Sequence, residues 1–516
     1  MSGADMQALG LPPGFRALTV SSGIRSAAAR QPDKTALICS GETRSYQALV
    51  EGMNQVANAV ESLGLRSGQN AAIIAFNCLD YIEIVAGVSD LGAAVVTPNP
   101  KLTGKELADI CNDAQVRVLF VQAACLGGIE RSLFETVEHV IELGEPYRAF
   151  KASASAHFVQ RPVNEWDSFS IPYTSGTTGK PKGVMLSHRS RAMGFLAYAA
   201  EYGIFSPDDH FLAFAPMCHG AGLAYAMACV FVGGTTEIME KFDAEAVLAA
   251  VHSGRVTGMF TVPTHYHAIF SLPAEVLEGY RGNRLRGIIA NAAPLPQSIK
   301  ERIVSYFGDG LLHETYGSTE AGIVTNLRPQ DQLRKVNCVG QPFVANTVRL
   351  LDEQGNEVGP GEVGELFSLS PFLFSGYWGK PQATEDTFRD GWVSVGDMAL
   401  RDDEGYLYIV DRKKDMVISG GINIYPREVE QVLDEYPGLV ESAVIGVPDA
   451  QWGELLAACL VLAPGASLDN EALERFCRSQ LAPYKVPKTF VSIEALPRNA
   501  NGKVLKTVLR EWYAAQ

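Results

Sequence analysis

The chain has no Cys-x-x-Cys pair, and its nine cysteines are scattered. Neither a zinc site nor a disulfide framework is expected; reduced thiols are. No Gly-x-Gly-x-x-Gly follows a strand-like run, which removes support for a dinucleotide fold. No repeat at a period of about 20–50 residues is visible. The longest largely apolar run, Ala221 to Val232, falls well short of the ~20 residues that span a membrane. Met1 to Gly14 lacks a basic segment followed by an apolar one. Trp512-Tyr513-Ala514-Ala515-Gln516 is not a peroxisomal Ser-Lys-Leu ending. A cytoplasmic protein without a transmembrane segment is therefore expected. Basic charge is also in short supply, 43 Lys and Arg against 58 Asp and Glu, leaving −15. That argues against a nucleic-acid partner, which needs a broad basic field, and leaves a local basic site open.

What is present suits a multidomain soluble protein. At 516 residues a single core is not expected. Apolar residues make up 47% and charged ones 20%, an ordinary balance. Ser45 reads as a helix cap, with Leu49, Val50, Met53, Val56, Ala57, Val60 and Leu63 at helical spacing and Gly64 as the stop. Ala71–Phe76, Ala93–Val96 and Val116–Val121 read as strands, with a helix at Tyr81–Leu91 and a capping box at Thr103-Gly104-Lys105-Glu106. Further strand-like runs at His210–Phe214, Thr235–Ile238, Thr257–Thr261, Arg286–Ala290 and Leu311–Thr315 alternate with helix-like ones. This alternation predicts α/β sheets with parallel pairs. From about Val336 short strands and turns take over, which predicts a distorted β unit. Beyond the charged run Asp411-Arg412-Lys413-Lys414-Asp415, helix-like Pro426–Asp434 and Asn470–Gln480 flank strand-like Val440–Val447. The expectation is a large N-terminal domain of several subdomains, 1–411, and a small mobile α+β C-terminal domain, 412–516.

The chemistry concentrates in Thr174-Ser175-Gly176-Thr177-Thr178-Gly179-Lys180-Pro181-Lys182-Gly183. Glycines let a backbone turn and expose N–H groups to an anion. Hydroxyls add donors, and the lysines add charge. A polyphosphate is the natural ligand. The stretch is not a Walker loop, because Pro181 follows Lys180 and Thr174 stands where that pattern has its first glycine. A P-loop-like NTPase remains the alternative of a different class.

The stretch resembles the phosphate loop of the adenylate-forming (ANL) superfamily, which includes acyl- and aryl-CoA ligases, firefly luciferase and peptide-synthetase adenylation domains. Lys182 falls where that motif has its lysine, and Lys180 at a variable position. Later motifs follow in the family's order. Tyr316-Gly317-Ser318-Thr319-Glu320, placed just after a strand, is similar to the Tyr-Gly-x-Thr-Glu element. There the tyrosine stacks on a base, the threonine bonds a phosphate and the glutamate holds Mg²⁺. Ala292-Ala293-Pro294 resembles the segment flanking adenine. Asn291 stands where the family usually has glycine, which puts the acyl pocket in question. Asn291 either presents a polar group to the substrate or is a buried amide bonded to backbone. Asp397 matches the ribose-binding aspartate, and Arg412 its supporting arginine. Lys414 matches the hinge. Gly420-Gly421 would line the thiol route. Lys503, closing Pro497-Arg498-Asn499-Ala500-Asn501-Gly502-Lys503, matches the lysine that bridges acid and α-phosphate. His219 and Gly220, with Tyr266, are expected at the acyl pocket. His219 is a wall or gate rather than a base, since a carboxylic acid is already ionised at neutral pH.

The resemblance, from about Ser22 to Lys506, implies an AMP-forming acid–thiol ligase using ATP, Mg²⁺ and coenzyme A. Tyr484-Lys485-Val486-Pro487 is similar to a segment near the family's CoA entrance. A medium- or long-chain fatty acid is favoured as substrate. Aryl and sterol-side-chain acids, or transfer to a carrier protein, are the alternatives. A homodimer is left open.

Overall fold

The structure, a computed structural model, describes residues 18–127, 130–175, 181–420, 422–449, 451–498 and 504–515. It divides into two compact units, Met1–Val348 with Ser368–Val393, and Arg349–Phe367 with Ser394–Gln516.

The first unit holds two large sheets. One runs, edge to edge, Gly376–Tyr377, Pro181–Ser187, Ser168–Ile171, Ala94–Val96, Asn70–Ile74, Val116–Val121, His139–Glu142. Its last five strands are mutually parallel, and Pro181–Ser187 is antiparallel to both its neighbours. Asn70–Ile74 is buried along its whole length, as a parallel strand covered on both faces must be. Ile74, Val96, Leu119 and Val121 pack with Leu107 and Ile110 of the helix Gly104–Asp113. That helix begins at Thr103 with the expected capping box. Helix Tyr46–Ser62 likewise starts under the Ser45 side chain, which accepts from the Ala48 N–H.

The second sheet contains the parallel strands Leu312–Ser318, Gly287–Ala290, Gly258–Thr261, His210–Ala213, Thr235–Ile238 and Thr35–Cys39 in that order. Gly322–Leu327 turns back antiparallel to Leu312–Ser318. Tyr316, Gly317 and Ser318 therefore lie within a strand, which ends three residues beyond the end expected from the sequence. Their pairing with Thr325, Ile323 and Gly322 extends the ladder. Tyr266 sits in the core of this sheet with no exposed surface, its hydroxyl 2.7 Å from Thr261 Oγ1. It packs there among other buried apolar side chains.

In the second unit Asp397–Arg401 and Leu407–Arg412 form a hairpin, and Gly364 and Glu365 pair with Ala399 and Met398. Further along, Leu439–Asp449 and Gly453–Leu462 form a long antiparallel hairpin, and Val417–Ser419 and Thr489–Ser492 both pair with Gly453–Leu462. Helices Pro426–Leu433 and Asn470–Gln480 cover one face through Val429, Leu433, Leu473 and Cys477. All nine cysteines are free thiols. Among the described residues, no helix is long and apolar enough to cross a membrane.

Candidate functional site

Two antiparallel strands, Tyr173–Ser175 and Pro181–Ser187, stand on either side of the glycine- and threonine-rich stretch, with Thr174 opposite Lys182 and Ser175 opposite Pro181. Gly176, Thr177, Thr178, Gly179 and Lys180 lie outside the described residues. Gly183 is required by packing. A Cβ there would stand 2.8 Å from the Tyr173 ring.

Lys182 and Glu320, far apart in sequence, are brought to one residue. The Lys182 ammonium lies 4.8 Å from the centroid of the Tyr377 ring. The Tyr377 hydroxyl donates to Glu320 Oε1 at 2.9 Å. Tyr377 is mostly buried, and burial, then the Glu320 carboxylate, push its phenol well above the ordinary range. It is therefore a neutral donor at pH 7. The strand Gly376–Tyr377 pairs with Met185 and Val184 beside Lys182. On the same segment, the Ser375 and Trp378 N–H groups donate to the Met185 and Gly183 carbonyls. The Phe374 N–H donates to the Glu320 carbonyl at 2.8 Å. One strap thus spaces a cation from an anion by the width of a phenol ring. Tyr377 was not anticipated from the sequence. Only a Gly-Tyr pair marks it, and its partners are remote in the chain.

Removing the Tyr377 hydroxyl is expected to cost about tenfold to a hundredfold in ATP-dependent turnover. That is the scale of a hydrogen bond to a charged group, about 1.5–3 kcal/mol. Tyr377→Phe keeps the ring over Lys182, and Tyr377→Leu removes it. The leucine variant should be the weaker of the two when turnover is titrated against ATP. Equal activity of both with the wild type would show that the strap plays no part.

Glu320 lies in the turn after Ser318, and the Ser318 hydroxyl accepts from the Ala321 N–H at 3.0 Å. Glu320 is buried. Thr319 faces Gly220, where a Cβ would lie 3.5 Å from the Thr319 methyl. Gly317 must be glycine, since a Cβ would come 2.1 Å from the Gly322 carbonyl oxygen. Among the described residues no group of three or more His, Cys, Asp or Glu could by itself hold a metal. A single buried carboxylate fits Mg²⁺, which takes one or two protein oxygens and completes its shell with phosphate and water.

His219 precedes helix Gly220–Val232 in extended conformation and makes no capping bond. Burial, then the Lys101 charge, lower its pKa, so it is neutral at pH 7. Gly222 permits close packing, for a Cβ would meet the Pro216 carbonyl oxygen at 2.2 Å. Asn291 follows the strand Gly287–Ala290. Its amide donates to Thr315 Oγ1 at 2.7 Å, and its carbonyl oxygen accepts from the Ala292 N–H. Both ends of the amide are thus engaged inside the protein. Ala292 adopts φ +77°, uncommon for a residue with a side chain. Ala292, Ala293 and Pro294 are exposed.

In the second unit Arg412 Nε lies 3.1 Å from Asp397 Oδ1, the two residues facing each other across a hairpin. Asp397 is buried. The Asp415 and Met416 N–H groups donate to the Arg412 carbonyl, so Lys414 rides an exposed turn. Gly420 has φ +57° and donates its N–H to the Trp452 carbonyl at 2.8 Å. A Cβ there would strike the Trp452 ring. Gly421 and Lys503 lie outside the described residues.

A family model described as AMP-binding enzyme matches residues 24–378, and one described as AMP-binding enzyme C-terminal domain matches 428–503. A feruloyl-CoA synthase from an Amycolatopsis species is 35% identical over 503 residues, covering 93% of this chain and 96% of that protein. A long-chain-fatty-acid–CoA ligase from Bacillus subtilis is 32% identical over 530 residues, covering 96% and 94%. ATP-bound MatB from Rhodopseudomonas palustris superposes with a TM-score of 0.87 at 32% identity, covering 96% of this chain and 99% of that one.

Proposed function

The chain belongs to the AMP-binding enzyme family and is an AMP-forming acid–thiol ligase, and from that premise we propose how its residues divide two half-reactions. In the first, a substrate carboxylate oxygen attacks the α-phosphorus of ATP. The bond to the β-phosphate's bridging oxygen breaks, and pyrophosphate leaves. In the second, the CoA thiol attacks the acyl carbonyl, loses its proton, and AMP departs. Splitting the reaction makes a poor electrophile reactive before the thiol arrives.

Thr174 through Gly179, with Lys180 and Lys182, hold the phosphates. Thr319 adds a hydroxyl donor. Glu320 would hold Mg²⁺, which offsets phosphate charge when bound. Tyr316 and Gly317 with Ala292, Ala293 and Pro294 frame the adenine. Asp397 accepts from the ribose hydroxyls, and Arg412 steadies Asp397. Lys503 meets the charge that builds as the carboxylate attacks phosphorus. Gly420 and Gly421 line the thiol route. Lys414 is the hinge about which 412–516 turns between the half-reactions, since few residues suffice to absorb a large φ/ψ change. The acid is a medium- or long-chain aliphatic one, with Gly220, Ala221 and Ala224 leaving room beside His219. The observation that carries the reading is the convergence of Lys182 and Glu320 on Tyr377.

The test is a panel of organic acids with ATP, Mg²⁺ and CoA. Expected is acid-dependent release of pyrophosphate and AMP in equal amounts, with a thioester as product. Orthophosphate release that ignores the acid would overturn the reading in favour of an NTPase.

A further inference from the structure

Lys300, in helix Gln297–Phe307, has only 1% of its surface exposed. Its ammonium pairs with Oε2 of Glu314, which is also buried. Burying both charges costs desolvation that their attraction barely offsets, and apolar residues of like volume often serve stability as well or better. What the pair holds gives it a use. The other carboxylate oxygen, Glu314 Oε1, accepts from the Leu295 N–H at 3.3 Å. Leu295 directly follows the exposed run Ala292-Ala293-Pro294. At the start of that run the Asn291 amide donates to Thr315 Oγ1 at 2.7 Å. Two consecutive residues of strand Leu312–Ser318 thus pin both ends of a five-residue bridge. Within the bridge Ala292 stands at φ +77°, a conformation that persists only where the surroundings hold it. Side chains alternate along a strand, so Glu314 shares its face with Tyr316, two residues on. The group that pins the bridge and the ring expected to stack on the base therefore belong to one strand.

We propose that Glu314 and Lys300 are positioning residues for the nucleotide base: they fix the Ala292–Pro294 backbone relative to Tyr316, so that the slot between them selects adenine over guanine. The inference rests on the reading of Tyr316 and residues 292–294 as the adenine frame, and names what sets that frame. Lys300 holds one oxygen of the carboxylate, which keeps the other aimed at the Leu295 N–H. The pair acts through that N–H and not by contact with the base. A recognition site must hold its groups within about 0.5 Å of the productive geometry. A bridge released at Leu295 would bind either purine, and less tightly.

The experiment measures Kd for ATP and for GTP, with Mg²⁺ and no acid, on the full chain and two double variants. Lys300→Met with Glu314→Gln removes both charges and keeps an acceptor for Leu295. Lys300→Met with Glu314→Met has nearly the same volume and removes the acceptor. The glutamine pair is expected to keep the wild-type preference for ATP. The methionine pair is expected to bind ATP about threefold to tenfold more weakly, the scale of one hydrogen bond, with GTP little changed. Melting temperatures of the two should match. A methionine pair that keeps the ATP preference overturns the proposal. So does one that fails to fold, which would make Lys300 and Glu314 a support for the core alone. A glutamine pair that loses the preference as fully as the methionine pair overturns it too, since the acceptor would then not be what matters. Tyr316→Leu tests the frame separately: an unchanged ATP preference there would refute the adenine reading itself, and this inference with it.

Discussion

Replacing Lys503 by alanine is expected to slow acyl-adenylate formation about 10²–10³-fold, the cost of removing one aimed electrostatic donor from a developing charge, while transfer from supplied acyl-AMP to CoA stays within a few-fold. The asymmetry follows from charge. In the first half-reaction a carboxylate approaches a phosphate, and both are anions. A cation placed between them stabilises the transition state more than the separated reactants, which is what raises a rate. In the second half-reaction the acyl-AMP already exists and a neutral carbonyl is attacked. The cation has little left to offset. The measurement is a pair of assays on one variant: acid-dependent pyrophosphate release, and thioester formation from synthetic acyl-AMP. Lys503→Arg, which keeps the charge on a different fork, should recover part of the first activity and leave the second alone. A loss of the same size in both assays would remove Lys503 from this role and with it the reason for a domain that turns.

Local signals were readable and distant pairings were not. Ser45 and Thr103 cap helices as expected, because a cap is decided within four residues of chain. Thr235–Ile238 and Val116–Val121 are strands at the predicted bounds, because both are short runs rich in β-branched residues, which favour a strand. Gly453–Leu462 was not anticipated, although it forms the longest hairpin of the second unit with Leu439–Asp449. Its near-continuous apolar run has no period to tell strand from helix. The end of Leu312–Ser318 was set by pairing with Gly322–Leu327, a partner that no motif announces. Asn291 was readable as a departure but not in its consequence. In the fold its amide is spent on Thr315 and Ala292, partners that the strand pairing brings to it. Tyr266, expected at the acyl pocket, is packed among core residues of its sheet, a setting that no local pattern announces. At the site itself, Lys182 and Glu320 were singled out by the family resemblance, not by residue type or spacing alone. What links them, Tyr377, was not, since a ring contact and a hydroxyl bond to remote residues leave no local pattern.

The second large effect is expected at Glu320. Glu320→Gln should lower kcat/KM for ATP about 10²–10³-fold while leaving the fold intact. The substitution is chosen for what it preserves. Glutamine keeps the length of the side chain and an acceptor oxygen, so the Tyr377 hydroxyl still has a partner at the place where it now donates to Oε1. The Phe374 N–H bond to the residue 320 carbonyl is a backbone contact and does not change. What disappears is the negative charge, together with the hard anionic oxygen that Mg²⁺ prefers over an amide. Thermal unfolding should therefore stay close to that of the wild type, because removing a charge from a buried position also removes its desolvation penalty. Activity should shift to higher Mg²⁺ concentrations, and the affinity for ATP without metal should barely move. Glu320→Ala is the contrasting variant. It strands the Tyr377 hydroxyl as well, so it should lose stability in addition to activity. If Glu320→Gln left the Mg²⁺ dependence of pyrophosphate release unchanged, Glu320 would be a structural anchor for the Tyr377 strap, and the metal would have to be held by the phosphates and water alone.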